Sequence, residues 1–433
     1  MNVNYIITIL NTITFIILGI FLLFGAHYIF FYFLTFKKVK KAPKATSYSR
    51  FAILVPARNE SKVIHHIMNS LDKQTYPKEY FDVFFIVENE DDETIKIAKK
   101  HGYKSFIRTN LTDERRTKGF ALQECINYIN EQGLNYDAYM IFDADNVVEE
   151  RYIEVMNNLR QDGVEVGIGY RNYTNANKNF YSSTSAILFC YMNNVTSKAR
   201  TLLFKKGVLM GTGYFINKDI IDEAGGWIFT GMTEDTELTN YCYLHNINMR
   251  YTKEVCFYDE QAAKYRTWHD QLVRWIWGYF VRSKADLSKG RDHKSLPPKA
   301  HKLAIFEYRI SFFPFVTFIV LLILLGITCF ILGFIAIPLK ADYQTLFFNG
   351  LLYLFLVAII FDLQALGQII REGKRIKIGF FYAIVNILLY WVYYINVIIA
   401  FFDGLIHPKK RSTWKVIQHK GEITNKKAKK RSV

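Results

Sequence analysis

Cysteine is scarce and carries no pattern. Cys125, Cys190, Cys242, Cys256 and Cys329 form neither a CxxC pair nor a metal-ligand spacing, which argues against a zinc module or a disulfide framework. They are expected to be reduced and mostly buried, in a cytoplasmic domain and one membrane helix, with one reactive thiol as the alternative. Acidic residues are outnumbered, 39 against 55 Lys and Arg, giving a formal charge of +16. That balance suits nucleic acid, anionic lipid or an anionic substrate. The basic runs adjoin apolar stretches: Lys37, Lys38, Lys40, Lys41 and Lys44 follow one, and Lys409, Lys410 and Arg411 follow another. This placement fits lipid headgroups and the positive-inside rule, so a membrane lipid partner is expected and nucleic acid is not. No internal repeat is visible, and no regulatory domain is expected after Pro408.

Apolar residues make up 51% of the chain, a small excess over a soluble domain that is concentrated at the two ends. Ile6–Phe36 is almost uncharged over about 30 residues, where a span needs roughly 20, and it lacks the positive start of a signal peptide. One retained helix is expected over 1–36, with Lys37 onward inside. Three further apolar blocks are Leu303–Leu339, Phe347–Ile370 and Ile378–Phe402. The basic link Arg371–Lys377 and the tail after Asp403 both read as cytoplasmic, which requires an even number of crossings, two or four. Leu303–Leu339 is then an interfacial helix plus a span, or two spans broken at Pro314, and Ile378–Phe402 is re-entrant as an alternative. A multi-pass cell-membrane protein follows, with membrane helices over 303–403 and a basic cytoplasmic tail over 404–433.

Residues 47–286 have the pattern of a soluble cytoplasmic domain. Strands are expected at Phe51–Val55, Asp82–Val87, Ser105–Arg108 and Ala138–Phe142. Helices are expected at Glu60–Leu71, Thr94–His101 and Lys118–Glu131. Their alternation predicts a mainly parallel sheet with helices on both faces. Ligands of such sheets bind beyond the carboxyl ends of the strands, where Asn59-Glu60, Glu88 and Asp143 all fall.

Three short motifs carry chemistry. Asp143-Ala-Asp145-Asn146 places two carboxylates just past a strand, where both can approach a hard cation such as Mg²⁺ or Mn²⁺; a solvated turn is the plain alternative. Thr233-Glu234-Asp235 offers a carboxylate to deprotonate an acceptor hydroxyl, or a helix start with Thr233 as cap and acids in the first turn. Gln271-Leu-Val-Arg274-Trp275 shares one helical face. There Arg274 suits a diphosphate and Trp275 a sugar ring, against the alternative of an amphipathic helix anchored on a membrane.

The ordered set DAD, TED and QxxRW resembles the processive family 2 glycosyltransferases, which include the cellulose, hyaluronan and poly-N-acetylglucosamine synthases. The resemblance covers about Phe51 to Phe280 and the helices around it. It implies an α/β GT-A-type glycosyltransferase domain joined to an α-helical transmembrane region. It also implies inverting transfer from a UDP-sugar to a growing glycan, with Mg²⁺ or Mn²⁺ as cofactor and an accessory export protein as a conceivable partner. By that resemblance Ala57, Arg58 and Glu60 hold the uridine. Glu88 stands in place of the usual Asp, and Lys118-Gly119 lies near the nucleotide. Asp143 faces the nucleotide, Asp145 the metal, and Asp235 is the base beside Glu234 and Thr233. Gly211, Thr212 and Gly213 flank the acceptor, while Gln271, Arg274 and Trp275 sit near the diphosphate and acceptor end. The segment Asp259-Glu260-Gln261 and the tail Trp414–His419 also resemble bacterial members, the tail as a gate or as a lipid-bound arm. The alternative reading is transfer of one sugar to a lipid-linked acceptor.

Overall fold

The computed structural model describes residues 29–280, 295–336, 343–408 and 410, with isolated N-terminal positions at 5, 8, 9, 11–13, 15, 16 and 19. Most of the expected N-terminal span and the whole Trp414–His419 tail lie outside the described residues. Eight strands form one sheet: β1 (Phe51–Pro56), β2 (Phe81–Val87), β3 (Lys104–Ile107), β4 (Ala138–Ile141), β5 (Val147–Val148), β6 (Val166–Tyr173), β7 (Tyr214–Asn217) and β8 (Met249–Asp259). Their order is β3-β2-β1-β4-β7-β6-β8-β5.

The sheet is mainly parallel, as expected, with antiparallel pairings added by β7 and β5. Strands β1 to β4 pair in parallel, but β7 runs antiparallel to both β4 and β6. Antiparallel pairing brings the start of one strand beside the end of its neighbour. Ile141 of β4 therefore faces Tyr214 of β7, and Gly211–Gly213 sits against Asp143. Strand β8 is parallel to β6, so the ends of β1, β2, β4, β6 and β8 and the start of β7 share one edge.

Alternating side chains of β1 divide between two cores, as a strand covered on both faces requires. Ala52 and Leu54 join Leu122, Cys125, Ile126 and Ile129 of helix α3 (Lys118–Glu131). Phe51, Ile53 and Val55 join Ile64, Ile67, Met68 and Leu71 of α1 (Ile64–Asp72). Helix α2 is Glu93–Lys100, capped by the Asp92 carboxylate, and α4 is Tyr152–Gln161. After β6 come α5 (Phe180–Tyr191), a π-helical stretch Met192–Lys198, and α6 (Ala199–Phe204). Then follow α7 (Lys218–Glu223), α8 (Glu234–Leu244) and α9 (Tyr265–Phe280). All five cysteines are unpaired and buried, as expected.

Four helices complete the described chain: α10 (Pro298–Ala336), α11 (Tyr343–Ile376), α12 (Phe380–Leu389) and α13 (Trp391–Ile406). Helix α10 is continuous, so the break at Pro314 is not realised. Among the described residues one helix, Phe347–Ile376, is long and apolar enough to cross a bilayer. The pair α12 and α13 passes the same criterion jointly, bent by 60° at its break. Residues 371–376 form the last turns of α11, not a link. They dock on the sheet domain: Glu372 is buried against Lys253, Asn194 and Tyr170, and Arg375 lies 4.0 Å over the Tyr170 ring.

Candidate active site

Strand β1 ends in a turn that Asn59 closes with φ of +58°, a conformation asparagine tolerates better than most residues. The turn carries Ala57, Arg58 and Glu60 to a cavity of about 450 Å³. Glu88, just past β2, sits between two guanidiniums, 3.0 Å from Arg58 and 3.6 Å from Arg108. Arg108 is itself buried and gripped by Glu124 at 2.8 Å. One methylene longer than aspartate, Glu88 reaches these cations.

Helix α3 opens where Thr117 caps it and donates its hydroxyl to the Thr230 carbonyl at 2.9 Å. Gly119 then meets the 229–230 backbone so closely that a Cβ would lie 2.3 Å from the Phe229 oxygen. This contact fixes Lys118, which is buried and not the solvated charge that its helical position alone allows. Its ammonium donates to Asp143 and, at 2.7 Å, to the Gly211 carbonyl, with Glu234 at 3.9 Å.

Behind the first carboxylate, the Asp143 amide donates to the Thr212 hydroxyl at 2.9 Å, and that hydroxyl donates to Asn146 at 2.6 Å. Asp145 accepts from the Asn146 amide at 3.2 Å and from the Glu260 backbone N–H at 3.1 Å. Gly211 and Gly213 hold φ of +83° and +67°, the region that favours glycine. Gly211 lines the cavity, whereas Thr212 and Gly213 lie behind its wall. Their part is to brace Asp143 and the β4–β7 junction.

Helix α8 begins at Glu234. Thr233 stands at its N-cap position but makes no side-chain capping bond, contrary to the capping expectation. Its methyl instead packs toward Gly278 of α9, where a Cβ would come within 2.5 Å. The acids do occupy the first turn, and Glu237 accepts from the Gly231 N–H at 3.2 Å. Asp235 accepts from the Thr236 amide at 2.8 Å.

Electrostatics in this pocket are set by burial. Burial pushes Glu234 up to about 8, with Lys118 opposing and Asp235 adding to the rise. Burial also raises Asp235, against the Thr236 N–H and Lys118. Burial disfavours the Lys118 cation, yet Asp143 and Glu234 outweigh it and hold the amine above its ordinary value. Arg274 is lowered by burial, with Glu234, Asp143 and Asp235 countering.

Helix α9 supplies the opposite wall. Gln271, Arg274 and Trp275 all face the cavity, and Trp275 meets Phe189 edge-on with centroids 5.8 Å apart. The outer side of α9 is clamped to α13: His269 contacts Asp403 at 2.9 Å, and Trp277 stacks on Phe401. The cavity wall also carries apolar and aromatic side chains, Leu188, Met192, Tyr308, Tyr393, Val397 and Ile398. Every expected site residue except Gly119, Thr212 and Gly213 lines this one cavity.

Sequence reasoning missed Arg108 and Arg171. Both are lone arginines on or beside strands, with no motif to mark them. Asn146 was visible only as the residue after the carboxylate pair.

The carboxylate pair fits a hard cation in type and placement, since both are oxygen donors on the cavity wall. Among the described residues no third His, Cys, Asp or Glu completes an all-protein metal site. Mg²⁺ commonly takes one or two carboxylates and completes its shell from substrate phosphates and water, so the donor set matches an ion bound together with a diphosphate.

The fold resembles that of the mannosyltransferase PcManGT from Pyrobaculum calidifontis, solved with GDP-Man and Mn²⁺. The TM-score is 0.55 at 15% identity, over 80% of this chain and 96% of that one. The chain is 25% identical over 251 residues to the probable glycosyltransferase YdaM of Bacillus subtilis, covering 56% of each. It is 26% identical over 241 residues to the beta-monoglucosyldiacylglycerol synthase of Trichormus variabilis, covering 53% of this chain and 49% of that protein. It thus spans about half the length of these two relatives. The model of Glycosyltransferase like family 2 matches residues 49–278, more than half of the chain, and with its GT-A-like α/β fold the chain belongs to that glycosyltransferase family.

Proposed function

We propose that this chain transfers a sugar from a UDP-sugar to a hydroxyl acceptor at the cytoplasmic face of a membrane, inverting the anomeric configuration. The observation that carries the reading is the convergence of Lys118, Asp143, Asp145, Glu234, Asp235, Arg274 and Trp275 on one cavity. Ala57, Arg58, Glu60 and Glu88 take the nucleoside end, and Lys118 and Arg274 flank the diphosphate. Asp145 and Asp143 would hold Mg²⁺ or Mn²⁺, which when bound offsets the charge of the leaving diphosphate. Asp235 takes the proton of the acceptor hydroxyl, whose oxygen attacks the anomeric carbon as the bond to the diphosphate oxygen breaks and UDP departs. Inversion follows from the single displacement and from the likeness to inverting members.

The acceptor is read as a growing glycan, with QxxRW at the acceptor end and with Tyr308 and Tyr393 as further aromatic side chains in the same cavity wall. The membrane setting is read from helix Phe347–Ile376, the bent pair α12 and α13, and the flanking basic runs. A second reading is transfer of one sugar to a membrane lipid. It is favoured by the apolar residues Leu188, Met192, Val397 and Ile398 in the cavity wall and by the diacylglycerol named for one relative. The test is UDP release by purified protein in detergent with Mg²⁺ or Mn²⁺ across a panel of UDP-sugars, with the product sized. A long glycan supports polymerisation, a singly extended lipid supports the second reading, and no UDP from any donor refutes transfer.

A further inference from the structure

Arg171 lies in β6, buried, on a strand that no motif marks. Its guanidinium donates to the Asp259 carboxylate through Nε at 3.0 Å and through Nη2, and to the Met210 carbonyl through Nη1 at 2.8 Å. It also covers the Phe189 ring, 3.9 Å from the centroid. The backbone of Arg171 is itself locked, since Asn193 of the π-helical stretch accepts from its N–H at 3.2 Å and donates to its carbonyl at 2.8 Å.

Arg171 and these three partners line the cavity wall, and each partner adjoins or supports a group of the site. Asp259 precedes Glu260, whose N–H donates to Asp145, and also accepts from Gln261 at 2.7 Å. Met210 precedes Gly211, whose carbonyl holds Lys118. Phe189 supports Trp275. One guanidinium therefore joins three segments, 259–261, 210–213 and the last turn of α5. A planar fork of five donors suits this task, and a lysine could not span both oxygens in fixed directions.

We infer that Arg171 is a positioning residue for the transfer reaction, holding the carboxylate floor and the acceptor wall in register around the base Asp235. The inference rests on the transfer reading proposed above. Strand β6 is three places from β1 and four from β2 in the sheet, so Arg171 is expected to set the reacting geometry and to leave the nucleoside contacts of Arg58 and Glu88 alone.

The test compares wild type, R171M and R171K as full chains in detergent, by hydrogen–deuterium exchange and by steady-state UDP release. In R171M, exchange should rise in 209–213 and 259–262 while β1, β2 and β4 stay protected. Its kcat should fall about 100-fold, the scale of a misplaced reacting group, with the donor KM unchanged. R171K keeps the charge opposite Asp259 and should fall between the two in both measurements. If R171M does not fold, R171K carries the test, with kcat reduced at unchanged KM. Unchanged exchange at both segments, wild-type kcat in a folded variant, or a loss confined to donor KM would each overturn the inference. If wild type releases no UDP, the transfer reading fails, and exchange alone decides whether Arg171 ties the segments together.

Discussion

Replacing Gly119 by alanine tests whether the start of α3 sets the active site. Alanine is the better helix former, by roughly 1 kcal/mol over glycine in a helix interior, so on propensity alone the change stabilises. The new Cβ would lie 2.3 Å from the Phe229 oxygen and 2.7 Å from the Thr230 Cα, about 1 Å inside ordinary van der Waals contact. Both neighbours are backbone and cannot swing aside. Either α3 or the 229–230 strap must move, at an overpacking cost of about 1–3 kcal/mol, which offsets or exceeds the propensity gain. The displaced residue is Lys118, bonded to Asp143 and Gly211, and the strap leads into Thr233-Glu234-Asp235. A shift of this size at reacting groups costs on the order of 100-fold in rate. The expected G119A protein unfolds at or slightly below the wild-type temperature and has a strongly reduced kcat. Thermal unfolding and UDP release measured on one preparation check both. A G119A variant more stable than wild type with full turnover would refute the close-approach argument.

Three further outcomes are expected. D235N should bind UDP as wild type does and transfer nothing, since it keeps the shape and loses the proton acceptor; turnover in that variant would remove Asp235 as base. Removing divalent metal with a chelator should stop UDP release, and D145N should need more Mn²⁺ to restore it than wild type, read from metal titrations. The pH dependence of stability has a defined sign. Glu234 is raised from 4.5 to about 8 by burial, so the folded state binds its proton more tightly than the unfolded chain does. Its contribution is fully present below about 4.5 and is lost as pH rises through about 8. The melting temperature of ligand-free protein should fall across that window, and E234Q should flatten the fall. Equal slopes in the two proteins would show that Glu234 is not held protonated by its surroundings.

The site was more legible in the sequence than the fold that carries it. Short buried runs such as Phe51–Val55 and Ala138–Phe142 announce strands, and the helix at Lys118–Glu131 begins and ends where its pattern does. What the pattern does not contain is strand direction. Tyr214–Asn217 is four residues with no alternation to exploit, and its antiparallel pairing with β4 depends on where the chain returns after the long excursion through α5 and α6. The motif residues were findable because their chemistry needs fixed spacing. Thr212 shows the limit: its segment was marked, but its hydroxyl faces Asp143 and Asn146 and not the cavity. Arg108 and Arg171 were invisible because a buried arginine is defined by partners distant in sequence, Glu124 and Asp259 among them.

Those distant ties explain how weak local signals become one rigid site. Helix α9 is the clearest case. Its inner face carries Gln271, Arg274 and Trp275, and an amphipathic pattern alone would equally suit a helix lying on a lipid surface. Three contacts choose between these. Gly278 admits the Thr233 methyl, so α9 packs directly on the segment that holds Asp235. Phe189, held under the Arg171 guanidinium, supports Trp275 from below. On the outside, Gly404 of α13 lets the Trp277 indole approach so closely that a Cβ would lie 2.0 Å from Nε1, and that nitrogen donates to the Phe401 carbonyl at 3.0 Å. The QxxRW residues are thus placed by the sheet domain on one side and by an apolar helix on the other. Any displacement of α13 relative to the sheet is felt at Trp275 and Arg274, within the same cavity as Asp143 and Asp235. In this geometry the C-terminal apolar helices form part of the cavity wall, and the sheet domain and those helices enclose one shared cavity.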